Sequence, residues 1–457
     1  MSSRGLAVLL GVAVLIVIGP VVSADTAQPA SRYDLTAALA EHGSVDLGPY
    51  RHRLGVDYAE FDGHLRSDKA PGQPLLAVPV YLVGRAFGAQ SATSAREQGD
   101  LGLWWVTLWS SVVPFAALVA LMFLAAERFA GPAVALAVAL MLGLATMMLP
   151  HAVNLYGHAL AALFALSAWL AIELTPVSPR RAALAGLLAG AATVTEYETA
   201  IVMLVLAGYL AYHQRNRIVW FLAGCAGPLC VLAWYHTRAF GAPWRTAHAY
   251  YSTPELRHQI TGYALSWRGF DETFFGAHGL LLTGPIVLVG LVAAVMATRS
   301  EPGAAATHAR VALAIVVPYL VLCVLWKGTL GLEVPGPRYM IPALPFLAVP
   351  LAALWSRLWR PALLAAVVGA LVSVPATFTF LLLGIGQPAL PEYLRRLRNR
   401  EFAPTIWSMV FGRLGIVLYL ATVALAIAAL VWAWLRVRAR PAPVGTPGSR
   451  APSVARA

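Results

Sequence analysis

Phe61-Asp62-Gly63-His64-Leu65-Arg66-Ser67-Asp68-Lys69-Ala70-Pro71-Gly72-Gln73-Pro74 concentrates carboxylates, cations and turn residues in a chain that is 59% hydrophobic and only 12% charged. It runs straight into an apolar segment, Pro74–Phe87, and the reading of that segment decides the topology. If it crosses the bilayer, Arg180-Arg181, Arg215/Arg217, Arg357/Arg360 and Arg436/Arg438/Arg440 all face outward, against the bias of cytoplasmic loops toward Lys and Arg. If it lies along or dips into the outer interface, every one of those groups is cytoplasmic, together with Arg4 and Arg128. The second arrangement satisfies the charge bias and is the expectation adopted.

Working outward from it, the mean hydropathy is +0.69, and apolar runs long enough to cross a hydrocarbon core of ~30 Å recur along the chain. The expected spans are Leu6–Val22, Trp104–Ala126, Pro132–Leu149, His158–Leu174, Ala182–Thr195, Ala200–Tyr212, Ile218–His236, Leu280–Thr298, Val311–Trp326, Tyr339–Trp355, Pro361–Leu383 and Leu414–Leu435. The class is an all-α polytopic membrane protein of about twelve transmembrane helices, with both termini inside. Residues 1–440 form one transmembrane domain, residues 24–103 a large first extracytoplasmic loop with interfacial helices, and residues 441–457 a disordered cytoplasmic tail. Leu6–Val22 followed by Val22-Ser23-Ala24 also resembles a cleavable signal sequence. No internal repeat stands out.

The formal net charge of +12 is read as arginine-rich cytoplasmic loops facing anionic headgroups rather than as nucleic-acid binding. Cys225, Cys230 and Cys323 all lie in apolar runs, so neither a disulfide framework nor a thiolate site is indicated. All eight aspartates and the two lysines, Lys69 and Lys327, fall outside the cytoplasm in this topology. The outer polar segments are 25–103, 236–279, 326–338 and 384–413. The last carries Arg395, Arg396, Arg398 and Arg400, which fits either anion binding or an amphipathic helix on headgroups.

The Lys69-Ala70-Pro71-Gly72 turn fixes a chain reversal that holds Lys69 at the headgroup plane, where a lysine neutralises phosphate and a nearby carboxylate can act as general base. Asp57 and Asp62 can orient an acceptor, hold a divalent cation or cap turns. Asp68 pairs with Lys69 as phosphate site or as local ion pair, and His64 lies within the same motif. His151 and His158, about two helical turns apart, share a face if the intervening segment is helical; satisfied interfacial histidines are the plainer account, with Tyr156 an interfacial aromatic. Glu196 and Glu198 sit between two short apolar runs, a costly placement that usually faces a cavity. Arg338, at the mouth of a span beside Tyr339, offers a fork suited to phosphate, and Trp326 and Lys327 open the same loop.

Four of these segments together resemble the GT-C-type membrane glycosyltransferases. The closest likeness is to bacterial relatives of the protein O-mannosyltransferase and lipid A aminoarabinose transferase group. Arg32-Tyr33-Asp34 followed by Asp62-Gly63-His64 and Ser67-Asp68-Lys69-Ala70-Pro71-Gly72 resembles their first outer loop. Leu149–Leu160 resembles their second. Thr195-Glu196-Tyr197-Glu198 resembles their Thr-Glu-Tyr-Pro, and Pro335–Phe346 their Gly-x-Arg-Tyr-x-x-Pro-x-x-Pro segment. The resemblance implies inverting transfer of a sugar from a polyprenyl-phosphate donor to an acceptor hydroxyl on a glycan, lipid or protein, at the extracytoplasmic face of a bacterial plasma membrane. The acidic pair that many members carry before Arg-Tyr is replaced by Pro29 and Ala30, which leaves Asp34 or Asp57 as base. The second-loop acid of some relatives is also missing, with His151 and His158 there instead. Lys69, Arg338 and Lys327 are the donor-phosphate candidates. Asp62, His64, Asp68, His151, Tyr156, His158, Glu196 and Tyr339 are the substrate-binding ones. No resident metal is assigned; a divalent cation is compatible but not demanded. The alternative is a transporter or flippase of lipid-linked glycans, using the same polar groups for passage.

Overall fold

The computed structural model describes residues 2–23, 26–89, 100–173, 176–252, 257, 262–299, 303–326, 333–384 and 387–438. Lys327 and the 441–457 tail lie outside the described residues. Helix α1 (Ser3–Ile18) starts at Ser2, whose hydroxyl accepts from the Gly5 amide at 3.1 Å. Helix α2 (Ala27–His42) stops at Gly43, which takes the left-handed conformation that commonly closes a helix. Each of the twelve apolar stretches contains helix among its described residues, but Tyr339–Trp355 begins in a 3-10 segment, Arg338–Leu347, and the stretches ending at Val22 and Leu383 outrun their helices, which stop at Ile18 and Phe378. Among the described residues, five helices are long and apolar enough to cross a bilayer alone: Leu101–Glu127, Arg215–Phe240, Ala304–Leu325, Trp355–Phe378 and Ile406–Arg436. Five shorter apolar helices, including α1 and His158–Ile172, pack among them. The chain is a multi-pass membrane protein.

The decisive segment forms α3 (Gly72–Ala86). At 1.5 Å per residue its 15 residues span about 22 Å, short of a full hydrocarbon core. It is stapled by Gln73, whose amide nitrogen donates to the Ser110 carbonyl (3.1 Å), the Ser111 hydroxyl (2.9 Å) and the Tyr156 carbonyl (3.1 Å). Ser110 and Ser111 lie in a π turn, Leu108–Val112, inside the Leu101–Glu127 helix. Such a turn displaces the ordinary helical pairing and leaves carbonyls for outside partners.

Among the described residues one pair of strands departs from the all-α pattern. Strands β1 (Tyr58–Phe61) and β2 (His64–Ser67) pair antiparallel, with Tyr58 opposite Ser67 and Phe61 opposite His64. The cause is Asp62-Gly63, whose φ angles of 52° and 73° are both positive, as the two central positions of a type I′ hairpin require. Leu65 packs with Leu35, Ala59, Tyr235 and Phe240 in a small apolar cluster, which anchors the hairpin and points the chain that follows it, Ser67-Asp68-Lys69, inward. At the opposite end of the bundle His308 Nε2 lies 2.6 Å from Glu173, which Arg128 also contacts, and Trp169 donates to His308 Nδ1 at 3.0 Å.

Candidate active site

A cavity of about 470 Å³ opens where α2, the hairpin exit, and the starts of the His158–Ile172 helix and the Arg338–Leu347 3-10 segment meet. Asp57, Asp68, Lys69, Tyr156, His158, Glu196, Arg338 and Tyr339 all line it. These residues come from segments up to about 280 positions apart (Asp57 to Tyr339), so only the fold makes them neighbours.

Lys69 stands at the centre of the charge pattern. Its ammonium is 2.5 Å from Asp68 and 3.4 Å from Asp57. Asp68 is fully buried and also accepts from the Ser31 hydroxyl at 3.0 Å and from Tyr251. Burial alone would raise the Asp68 carboxyl, but Lys69 and the three hydrogen bonds hold it below the ordinary carboxylate range. Asp57 goes the other way. Burial and the adjacent Asp68 charge outweigh Lys69 and Arg338, and push it above that range. Two carboxylates beside one lysine therefore separate into a fixed anion and a carboxyl able to exchange a proton, the pattern that distinguishes acid–base roles. Arg338 makes no salt bridge among the described residues; it packs over the Tyr339 ring at 5.4 Å and shares a hydrogen bond with that side chain, so no carboxylate competes with an incoming anion for its charge.

On the other wall Arg32 reaches Glu196 at 2.6 Å. His158 Nδ1 lies 3.6 Å from Glu196 and 3.5 Å from Glu198. The Glu196 carboxylate lies so close to the chain at Gly157 that a Cβ there would stand 2.5 Å from its Oε1 and 3.1 Å from Arg32 Nη1, so a larger residue would push the carboxylate aside. Burial, then the Glu196 charge, pushes Glu198 up from the usual range. The His158 ring stacks on Tyr156 and meets Tyr339 edge-on, with centroids 5.9 and 6.0 Å away, and Trp326 contacts Tyr339 at 4.6 Å.

The other sequence candidates stand apart. Asp34 is fully buried and its carboxylate is 3.4 Å from Arg53, which also lies 3.9 Å from Asp100 and over the Tyr33 ring. Two residues along an α-helix turn the side chain through about 200°, so Arg32 faces the cavity and Asp34 faces away from it. Asp62 occupies the hairpin turn, and His64 pairs with Asp46 at 2.8 Å. His151 is buried behind Tyr156 and His158, with Nδ1 2.7 Å from the Met147 carbonyl. Arg395 is held by Glu392 and Glu401, and Arg396 by Glu392 and the Phe380 and Leu382 carbonyls. Neither borders the cavity, and both guanidiniums are engaged locally. Sequence reading missed Ser31, Tyr251 and His248; Ser31 adjoins the Arg32-Tyr33-Asp34 motif, but no motif surrounds the other two.

No protein-family model matches the chain, and no curated protein does. Among solved structures it is similar to ArnT from Cupriavidus metallidurans bound to undecaprenyl phosphate, with a TM-score of 0.50 and 14% identity over 96% of this chain and 74% of that one. The fold is of the GT-C type. The apo form of the same ArnT gives a TM-score of 0.50 at 15% identity over 95% and 73% of the two chains. AglB, an oligosaccharyltransferase from Archaeoglobus fulgidus, in complex with an inhibitory peptide and a dolichol-phosphate, gives 0.50 at 12% identity over 82% and 55%. The chain shares this fold with these proteins while sharing little of their sequence.

Proposed function

We propose that the chain is a membrane glycosyltransferase that moves a sugar from a polyprenyl-phosphate donor to an acceptor hydroxyl in this cavity. The observation that carries the reading is the meeting of Lys69 and Arg338, more than 260 positions apart, around Asp57. Two cations beside a carboxyl with raised proton affinity suit a reaction that releases a phosphate and needs a base. The ArnT structure was solved with undecaprenyl phosphate and that of AglB with a dolichol-phosphate, and ligands of that class fit the same reading here.

In the reaction Asp57 accepts the acceptor's hydroxyl proton. The hydroxyl oxygen bonds to the anomeric carbon as the bond from that carbon to the phosphate oxygen breaks, with inversion. Polyprenyl monophosphate leaves with the electron pair, its charge met by Lys69 and Arg338. Asp68 acts through Lys69: Ser31 and Tyr251 fix the carboxylate, which fixes the ammonium. The cavity opens on the non-cytoplasmic face of a bacterial plasma membrane, the orientation in which the arginine groups at 180–181, 215–217 and 357–360 face the cytoplasm.

The test is a nanodisc assay of the full chain with a panel of labelled polyprenyl-phosphate sugars, comparing it with Asp57→Asn and Arg338→Ala. Transfer by the parent and its loss in both variants is the expected result. Equal transfer by all three overturns the assignment of the site. Movement of donor across a vesicle membrane, with no transfer from any donor, would establish the transport alternative instead.

A further inference from the structure

We propose that His158, Glu196 and Glu198 form a divalent-cation site, of the Mn²⁺ or Zn²⁺ class, in the wall of the cavity. One imidazole and two carboxylates offer ligand atoms that all lie within 4.8 Å of one another. The His158 nitrogen is 3.6 and 3.5 Å from the two carboxylates, too far for good hydrogen bonds. That spacing is what an ion demands: with bonds of about 2.1 Å, tetrahedral ligands stand about 3.4 Å apart.

Independent observations point to the same spot. His158 is 2% exposed, yet its Nδ1 has no hydrogen-bond partner; neither does Oε1 of Glu198. The buried Tyr319 hydroxyl, within electrostatic reach of both glutamates, is also unpartnered. Buried polar atoms are rarely left unmade; the His158 nitrogen and the Glu198 oxygen carry lone pairs that a cation satisfies, and the unpartnered Nε and Nη1 of Arg32 beside them call for an acceptor such as a water held by that cation. Arg32 holds one oxygen of Glu196 at 2.6 Å. It does not close the site, because a carboxylate oxygen that accepts one hydrogen keeps a further lone pair, and metal-bound carboxylates are typically aimed by such contacts.

The formal charge count favours a cation as well, and a bound cation would keep Asp57 and Glu198, both raised by burial and a neighbouring carboxylate, in their ionised forms. The cavity wall carries five carboxylates (Asp57, Asp68, Glu196, Glu198, Glu333) against three cations (Arg32, Lys69, Arg338). An anionic substrate would enter against net negative charge, and a divalent ion offsets it. A mixed nitrogen and oxygen set favours Mn²⁺ or Zn²⁺ over Ca²⁺. Three protein ligands leave a coordination position for water or a substrate hydroxyl.

The experiment strips the purified full chain with chelator and titrates it with Mn²⁺ and, separately, Zn²⁺, counting bound metal after gel filtration. Expected is one equivalent per chain for at least one ion, weakened at least tenfold in Glu198→Gln and in His158→Ala, and unchanged in the surface control Arg268→Gln. X-ray absorption of the bound ion should show one nitrogen neighbour among oxygens. Should His158→Ala fail to fold, the isosteric Glu198→Gln decides. Failure of the parent to bind either ion, or full affinity in Glu198→Gln, overturns the site. Because binding is read without sugar transfer, the two readings fail separately. Stoichiometric metal with no transfer refutes the reaction alone; transfer by a chain that binds neither ion refutes the site alone.

Discussion

Replacing Asp57 by Asn separates chemistry from binding in this cavity. The substitution keeps the shape of the side chain and removes its basicity. A positioned general base contributes ~10²–10⁴-fold, so kcat should fall by that factor, equivalent to roughly 2.7–5.5 kcal/mol of barrier. Binding should not suffer. Lys69 keeps Asp68 at 2.5 Å, and the change deletes a negative charge 3.4 Å from the ammonium. That charge attracts Lys69 by roughly 5 kcal/mol at an effective dielectric of 20 before screening. Relieved of it, the lysine meets a phosphate at least as well, so the KM for donor should hold or fall. The assay is initial rate against donor concentration in nanodiscs, repeated across pH. Asp57 in the folded protein is raised above the ordinary carboxylate range by burial and the Asp68 charge. The base is therefore active above that raised pKa and is lost as pH falls through it. The parent should show an acidic limb there, and the Asn variant should lack it. A fall in kcat of less than tenfold, or an acidic limb that persists in Asp57→Asn, would refute the reasoning.

Four further outcomes follow from the same geometry. Arg338→Ala should raise the KM for donor, with about 2 kcal/mol lost from a charge-assisted contact, or ~30-fold in kcat/KM. Arg53→Met leaves buried Asp34 without the guanidinium 3.4 Å away and should cost about 3–5 kcal/mol of stability, read as a lower unfolding midpoint, while the folded fraction keeps its kcat. Gly157→Ala forces Glu196 off Arg32; about 1–3 kcal/mol of overpacking strain should appear in thermal unfolding, with transfer reduced at every donor concentration. His308→Leu removes the contact to Glu173 at the far end of the bundle and should cost about 2 kcal/mol, with kinetics unchanged below the unfolding midpoint.

Lys69 and Arg338 were legible in the sequence because each sits in a dense motif of turn residues and charge, where local chemistry announces itself. Glu196 and Glu198 were legible for a different reason, the expense of carboxylates between apolar runs. Asp34 was misjudged as a candidate base because adjacency to Arg32-Tyr33 says nothing of direction. Helical phase turns Asp34 toward Arg53 while Arg32 faces the cavity, and phase becomes fixed only when α2 packs. The hairpin was readable from Asp62-Gly63 but was overlooked in a chain dominated by helical periodicity. Tyr251 could not have been found, since its contact with Asp68 spans 183 positions with no pattern at either end. The fold class came from hydropathy, which is a sum over many residues; the contacts of the site come from single ones.

The π turn at Leu108–Val112 sets a rule for how this protein can change in length. Because Gln73 must reach Ser110, Ser111 and Tyr156 at once, the four-step distance from Lys69 to Gln73 is a fixed ruler. A single inserted residue after Gly72 would rotate the amide by about 100° and release the tether. Homologous chains should tolerate almost no insertion between the lysine and the glutamine, which makes that interval a sharper guide for engineering than any one side chain within it.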